Sequence, residues 1–208
     1  MLTPLQERIA AVLRTLPEAG PFVLAGGAAL ILQGRTARVT DDLDFFARLP
    51  SEVDALLPAL ERALAVAGLS VERRQVGAGF ARLEVSDGGD RCQVDLGYDY
   101  RLMPVQESHL GPILSAEELA ADKVLAVHGR AAARDYLDLH SLVQQFGYLR
   151  PLEWAREKDP GFSPAVFADR LGQMDRLPRQ DYRIDDDGLE TVRRDFGEWR
   201  GRLLRVGF

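Results

Sequence analysis

The sequence predicts an α+β fold, a small mixed β-sheet with flanking helices followed by a helical C-terminal half, and three observations carry that prediction. Short apolar runs bounded by glycine and proline alternate with helical periodicities as far as Leu96. Two of those runs, Phe80 to Val85 and Cys92 to Leu96, are joined across Asp87-Gly88-Gly89-Asp90, a tight hairpin signal. From Ser115 almost to the end the pattern is helical, interrupted near Gly147, Pro160-Gly161 and Pro178. The Gly111-Pro112 neighbourhood is the expected boundary, dividing the chain into domains 1–112 and 113–208.

Each element has a local reason. Thr3-Pro4 with Gln6 is a helix start, carrying a cap, a first-turn proline and a capping-box partner; Leu5, Ile9, Val12, Leu13 and Leu16 then recur at helical spacing. After Pro21, Phe22 to Ala25 reads as a short buried strand that stops at Gly26-Gly27 and gives way to a helix over Ala28 to Gln33. Leu43 to Ala47 is the next strand, and Ser51 is the expected cap of a helix reaching Ala67 before Gly68. Ser70 to Val76 precedes the hairpin, whose turn sets the register Val85 with Cys92, Leu83 with Val94 and Arg82 with Asp95. Ser115 and Glu118 form another capping box, and Asp185-Asp186-Asp187 is expected to cap the last helix.

Composition narrows the function. The 208 residues are 46% hydrophobic, enough for a core without staples. No apolar run nears the roughly 18 residues of a membrane span, and the N-terminus lacks signal-peptide features, so a cytoplasmic location is expected. The single cysteine, Cys92, leaves no internal disulfide and no cysteine zinc site, and its place in an apolar alternation marks a core residue. The net charge of -6 argues against a wholly basic nucleic-acid binder, though a local patch remains compatible with RNA; Arg193, Arg194, Arg200, Arg202 and Arg205 make the final segment basic, to meet RNA, an acidic partner or solvent. Only Lys123 and Lys158 are lysines in an arginine-rich chain.

Asp42 and Asp44 flank Leu43 on the second strand, so both carboxylates share a face, roughly 6–7 Å apart at about 3.3 Å rise per residue. Two like charges that close call for a cation, and hard oxygen ligands suit Mg2+ or Mn2+; the competing reading is a polar strand edge. Gly26-Gly27 at a helix start exposes backbone N–H groups suited to phosphate. Together they are the parts of in-line phosphoryl or nucleotidyl transfer by a two-metal site using an NTP. Asp95, an acid between apolar residues in mid-strand, is the candidate third ligand and proton acceptor, or else the ion-pair partner of Arg82. Arg38 and Thr40, between the glycines and the acids, join the nucleotide-binding candidates. Lys123 and Arg130, seven residues apart, are expected on one helical face with room for a triphosphate. Asp135 and Asp138 share a face one turn apart, to orient these cations or hold the acceptor. His128 and His140 show no zinc spacing.

The order Gly26-Gly27, Asp42-Leu43-Asp44, then Asp95 resembles the nucleotidyltransferase superfamily typified by the DNA polymerase beta palm. More narrowly, "GGAALILQGRTARVTDDLDFF" with "AEELAADKVLAVHGRAAARDYLDLHSL" is similar to the AbiEii/AbiGii toxin family. The second motif carries the lysine, arginine and basic-Asp-x-x-Asp of that family as Lys123, Arg130, Arg134, Asp135 and Asp138, with arginine at 134 where lysine is usual. The likeness spans roughly residues 22–143. It implies a nucleotidyltransferase core, membership of a toxin-antitoxin pair with a cognate antitoxin, and transfer of a nucleotide from an NTP to RNA such as tRNA. It leaves as alternatives transfer to a small molecule such as an antibiotic, transfer to a protein, or a non-catalytic nucleotide-binding regulatory module. A glycosyltransferase is disfavoured, since only one strand precedes the acids. An EF-hand is excluded by the missing glycine and closing glutamate after Asp42.

Overall fold

A computed structural model describes residues 1–36 and 38–206 and divides into two compact units, Met1–Ser115 and a second beginning at Ala116. The first contains α1 (Pro4–Arg14), β1 (Val23–Leu24), α2 (Gly26–Leu32), β2 (Asp42–Ala47), α3 (Pro50–Val66), β3 (Ser70–Gly77), β4 (Phe80–Ser86), β5 (Arg91–Tyr98), β6 (Gln106–Ser108) and β7 (Gly111–Ile113). The strands form one mixed sheet in the order β3-β4-β5-β2-β1-β7-β6. β2 runs parallel to β5 and antiparallel to β1, which runs parallel to β7.

The expected hairpin register is the observed one: Val85 pairs with Cys92, Leu83 with Val94 and Arg82 with Asp95. The turn is fixed by Asp87, whose carboxylate accepts from the N–H groups of Gly89 (3.1 Å) and Asp90 (3.0 Å). Alternation then sorts the side chains. Leu43, Phe45, Ala47, Ala81, Leu83, Val85, Cys92, Val94 and Leu96 are all buried, and α1 and α3 pack on the sheet, adding Leu5, Ile9, Leu13, Leu56, Leu60 and Leu64. At about 1.5–3 kcal/mol per buried aliphatic side chain, this face anchors the unit and leaves the acid-bearing positions on the other. β3 closes one edge with Glu72, Arg73 and Arg74 exposed and a register shift between Arg73 and Gln75, devices that discourage edge pairing.

Several expectations need correction. α3 is capped by Leu49, not Ser51: Pro50 occupies the first turn, and Glu52 accepts from the N–H groups of Arg48 and Leu49, both at 2.9 Å. The helix after β1 begins at Gly26 rather than Ala28, so the glycine pair is its first turn. β6 and β7 are additional strands, three residues each, and β7 incorporates the Gly111 and Pro112 that read as punctuation.

The second unit is helical: α4 (Ala116–Gly129), α5 (Ala133–Phe146), α6 (Leu149–Lys158), α7 (Pro164–Leu171) and α8 (Asp186–Val206). Tyr136, Leu139, Phe167, Phe196 and Trp199 lie in its core. Gly147, at φ +68, ends α5 as expected. An unexpected break separates α4 from α5 at Arg130–Ala132, where Ala131 adopts φ +53. The last helix is capped as read: the Asp185 carboxylate accepts from Gly188 N–H at 2.8 Å.

Candidate functional site

The parallel pairing of β2 with β5 brings the three aspartates onto one face. Asp44 is the register partner of Asp95, and Asp42 that of Gln93. Asp42 and Asp95 are buried and Asp44 half-buried. The hydroxyl of Thr40 donates to Asp42 Oδ1 at 2.6 Å. The carbonyl of Thr40 in turn accepts from the buried Gln6 amide at 2.8 Å, so α1 fixes the segment leading into the acids.

The glycine pair lies directly against this face. Gly26 sits at φ +60, and a Cβ there would be 2.0 Å from Asp44 Oδ2. The missing side chain is therefore the space that the carboxylate uses. A Cβ at Gly27 would be 2.5 Å from Arg38 Nη2 and 2.8 Å from Thr40 Oγ1. Thus Gly26, Gly27, Arg38, Thr40, Asp42, Asp44 and Asp95 form one continuous patch, although 69 residues separate its ends (26 to 95).

Asp95 lies on the acid face and forms the ion pair that the hairpin register predicts: the Nε and Nη2 of Arg82 donate to its two oxygens at 2.8 and 2.6 Å. The hydrogen bond to Asp95 raises the Arg82 pKa, and the charges of Asp95, Asp44 and Asp42 add to it. Arg82 is thus an internal counter-ion for the trio. Among the described residues no group of three or more His, Cys, Asp or Glu gathers closely enough to hold a metal ion. The donor chemistry, hard anionic oxygens of Asp42 and Asp44 with Asp95 beside them on the neighbouring strand, nevertheless suits a divalent cation.

The second motif forms its own cluster. Lys123 is buried and lies 2.8 Å from Asp138 and 3.4 Å from Asp135. Arg130 donates to both oxygens of Asp135 at 2.8 Å. Because α4 ends at Gly129, Arg130 stands in the following turn rather than on the helical face of Lys123; the two cations converge on Asp135 instead of framing an open stripe. Burial pushes the Asp135 carboxyl up, and Arg130, Lys123 and Arg134 outweigh it, holding it below the usual carboxylate range. The side chain of Lys158, the other lysine, is enclosed between two acids, Glu118 at 2.7 Å and Asp122. The basic final segment is largely engaged within the unit: Arg193 pairs with Asp175, Arg194 with Asp195, and Arg200 donates to the Ala168 carbonyl. Phe46, Phe80 and Gly97 also line the acid face; the sequence marks Phe46 and Phe80 only as strand residues and gives no sign of Gly97 beneath them.

A mixed sheet bearing three aspartates against a glycine helix start defines a nucleotidyltransferase-type protein. A family model described as "Nucleotidyl transferase AbiEii toxin, Type IV TA system" matches residues 9–200, and the chain belongs to that family. Its match extends well beyond the 22–143 over which the motifs are recognisable. Among solved structures, JHP933 from Helicobacter pylori is 20% identical, with a TM-score of 0.62 over 98% of this chain and 93% of its own. MenT4, a nucleotidyltransferase toxin from Mycobacterium tuberculosis, is 16% identical, with a TM-score of 0.63 over 97% of this chain and 82% of its own. The Megavirus polyadenylate synthase is 12% identical, with a TM-score of 0.50 over 68% of this chain and 32% of its own. These likenesses establish the fold. No curated protein matches the chain. Among the described residues no helix is long and apolar enough to cross a membrane.

Proposed function

We propose that this toxin-family chain transfers a nucleotidyl group from an NTP to a hydroxyl of an RNA acceptor such as tRNA. The observation that carries the reading is the fit of the Asp44 carboxylate into the space left by Gly26, which sets the acids beside the N–H groups of a helix start. Asp42 and Asp44, with Asp95, would hold Mg2+ or Mn2+, which when bound neutralises phosphate charge and acidifies the acceptor hydroxyl in a two-metal arrangement.

The chain's own groups do the rest. The amides of Gly26 and Gly27 and the Arg38 guanidinium bind the phosphates, and Thr40 orients Asp42. The acceptor oxygen forms a bond to the α-phosphorus while the bond to the bridging β-phosphate oxygen breaks. Pyrophosphate leaves with that electron pair, and the hydroxyl proton passes to Asp95 and on to solvent. The nucleotide-holding roles expected of Lys123 and Arg130, with Asp135 and Asp138 orienting them, belong to the same proposal, as does a cognate antitoxin.

Incubation with total RNA, Mg2+ and each labelled NTP in turn tests this. Label should enter RNA from at least one NTP, and Asp44→Asn should abolish it. Label appearing only in small molecules or protein, or full activity in Asp44→Asn, would overturn the reading.

A further inference from the structure

The acid face continues past the carboxylates into a feature with no part in the chemistry above. One step further along both strands, Phe46 on β2 is the register partner of Gly97 on β5, on the face of Asp44 and Asp95. A Cβ at Gly97 would lie 2.8 Å from Phe46 Cε1 and 3.0 Å from its Cδ1, with Phe80 Cδ2 at 3.9 Å. The Phe46 ring therefore rests across bare backbone, with the Phe80 ring beside it. Arg82, while gripping Asp95, lies over the Phe80 ring at 5.8 Å from its centroid. Both rings are half-buried, whereas the core on the opposite face is complete without them. A glycine inside a paired strand weakens the sheet and marks a close approach, here that of a ring.

Sheet order gives the platform a direction. β1 flanks β2 on one side and α2, with the glycine pair, packs against β2; β5 and β4, with Gly97 and Phe80, flank it on the other side, and Phe46 stands on β2 between them. In-line transfer requires the attacking oxygen and the leaving pyrophosphate on opposite sides of the α-phosphorus. With phosphates at Gly26-Gly27, the acceptor enters over β5 and β4. We propose that Phe46 and Phe80, seated around Gly97, form a stacking platform for the 3′-terminal base of a single-stranded RNA end, presenting its hydroxyl to Asp95. Stacking of this kind is sequence-tolerant, because every base has a π-face. The inference rests on the transferase reading above.

Phe46→Leu and Phe80→Leu keep apolar bulk but lose the π-face, and Gly97→Ala keeps both rings but displaces Phe46. With Mg2+ and saturating NTP, each variant should raise the KM for tRNA at least about fivefold, the lower end of what base–aromatic stacking supplies. The KM for NTP should stay within about twofold of wild type. Independently, an RNA oligomer ending in 3′ 2-aminopurine should lose fluorescence on binding the wild-type chain, and an oligomer with an abasic 3′ end should bind wild type and variants equally. If a substitution prevents folding, the wild-type fluorescence decides alone. An unchanged KM for tRNA in folded variants, or an unquenched 2-aminopurine, overturns the platform and leaves the transferase intact. A raised KM for NTP instead assigns the rings to the incoming nucleotide and overturns it too. Failure of the wild type to label any RNA overturns both proposals.

Discussion

Replacing glycine by alanine at positions 26, 27 and 34 separates backbone strain from damage to the site. Gly26 (φ +60) and Gly34 (φ +67) both occupy the left-handed region, where an L side chain costs about 1–2 kcal/mol. A Cβ at Gly34 meets nothing within 4 Å, so Gly34→Ala should incur that cost alone, a drop in melting temperature of about 2–8 °C with unchanged turnover. Gly26→Ala incurs the same cost and drives a methyl to 2.0 Å from Asp44 Oδ2. The carboxylate must retreat by about 1 Å, and a displacement of that size costs on the order of a hundredfold in rate. Gly27→Ala has no left-handed strain but crowds Arg38 Nη2 at 2.5 Å and Thr40 Oγ1 at 2.8 Å, so melting should change little while the KM for NTP rises. Thermal melts and single-turnover transfer on the three variants provide the comparison. Equal activity in Gly26→Ala and Gly34→Ala would show that the contact between Gly26 and Asp44 has no bearing on chemistry.

Lys123→Met should destabilise the helical unit by about 3–5 kcal/mol in urea unfolding, because it removes the ammonium paired with the fully buried Asp138 and Asp135; Lys123→Arg should recover only part of the transfer activity. Asp135 titrates below the ordinary aspartate range, so its stabilisation is fully present above the unfolded pKa and is lost as pH falls through the lower folded pKa. Arg130→Met should flatten this loss, measured as urea midpoints across the acid range. Arg82→Met frees both oxygens of Asp95 and should raise Mn2+ affinity in calorimetry; a decrease would show that Arg82 positions the acid for the metal rather than competing with it. Burial pushes the Cys92 thiol up to about 12, so it should resist thiol reagents until the chain is unfolded.

The parts of this architecture that are local in sequence were the parts legible there. Asp42 and Asp44 share a face because the strand period is two, and a Gly-Gly turn fixed the β4–β5 register, which placed Arg82 beside Asp95 in advance. Pairing between distant segments was not legible. Nothing near Phe46 signals that it will lie parallel to Gly97, because that depends on β5 inserting between β4 and β2. β6 and β7 are too short for alternation to register, and Gly111-Pro112 reads as a break although Ile113 joins the sheet beside Leu24. The helical spacing of Lys123 and Arg130 misled because Ala131 turns left-handed, ending α4 one residue before the arginine.

The fate of the two lysines has a practical chemical consequence. Lys123 and Lys158 are each enclosed by a pair of carboxylates, with side chains only 7% and 5% exposed, and every other basic residue apart from the histidines is an arginine. In the folded protein acylating reagents of the active-ester type therefore find both lysine amines enclosed. Label appearing on either lysine would report the opening of the helical unit.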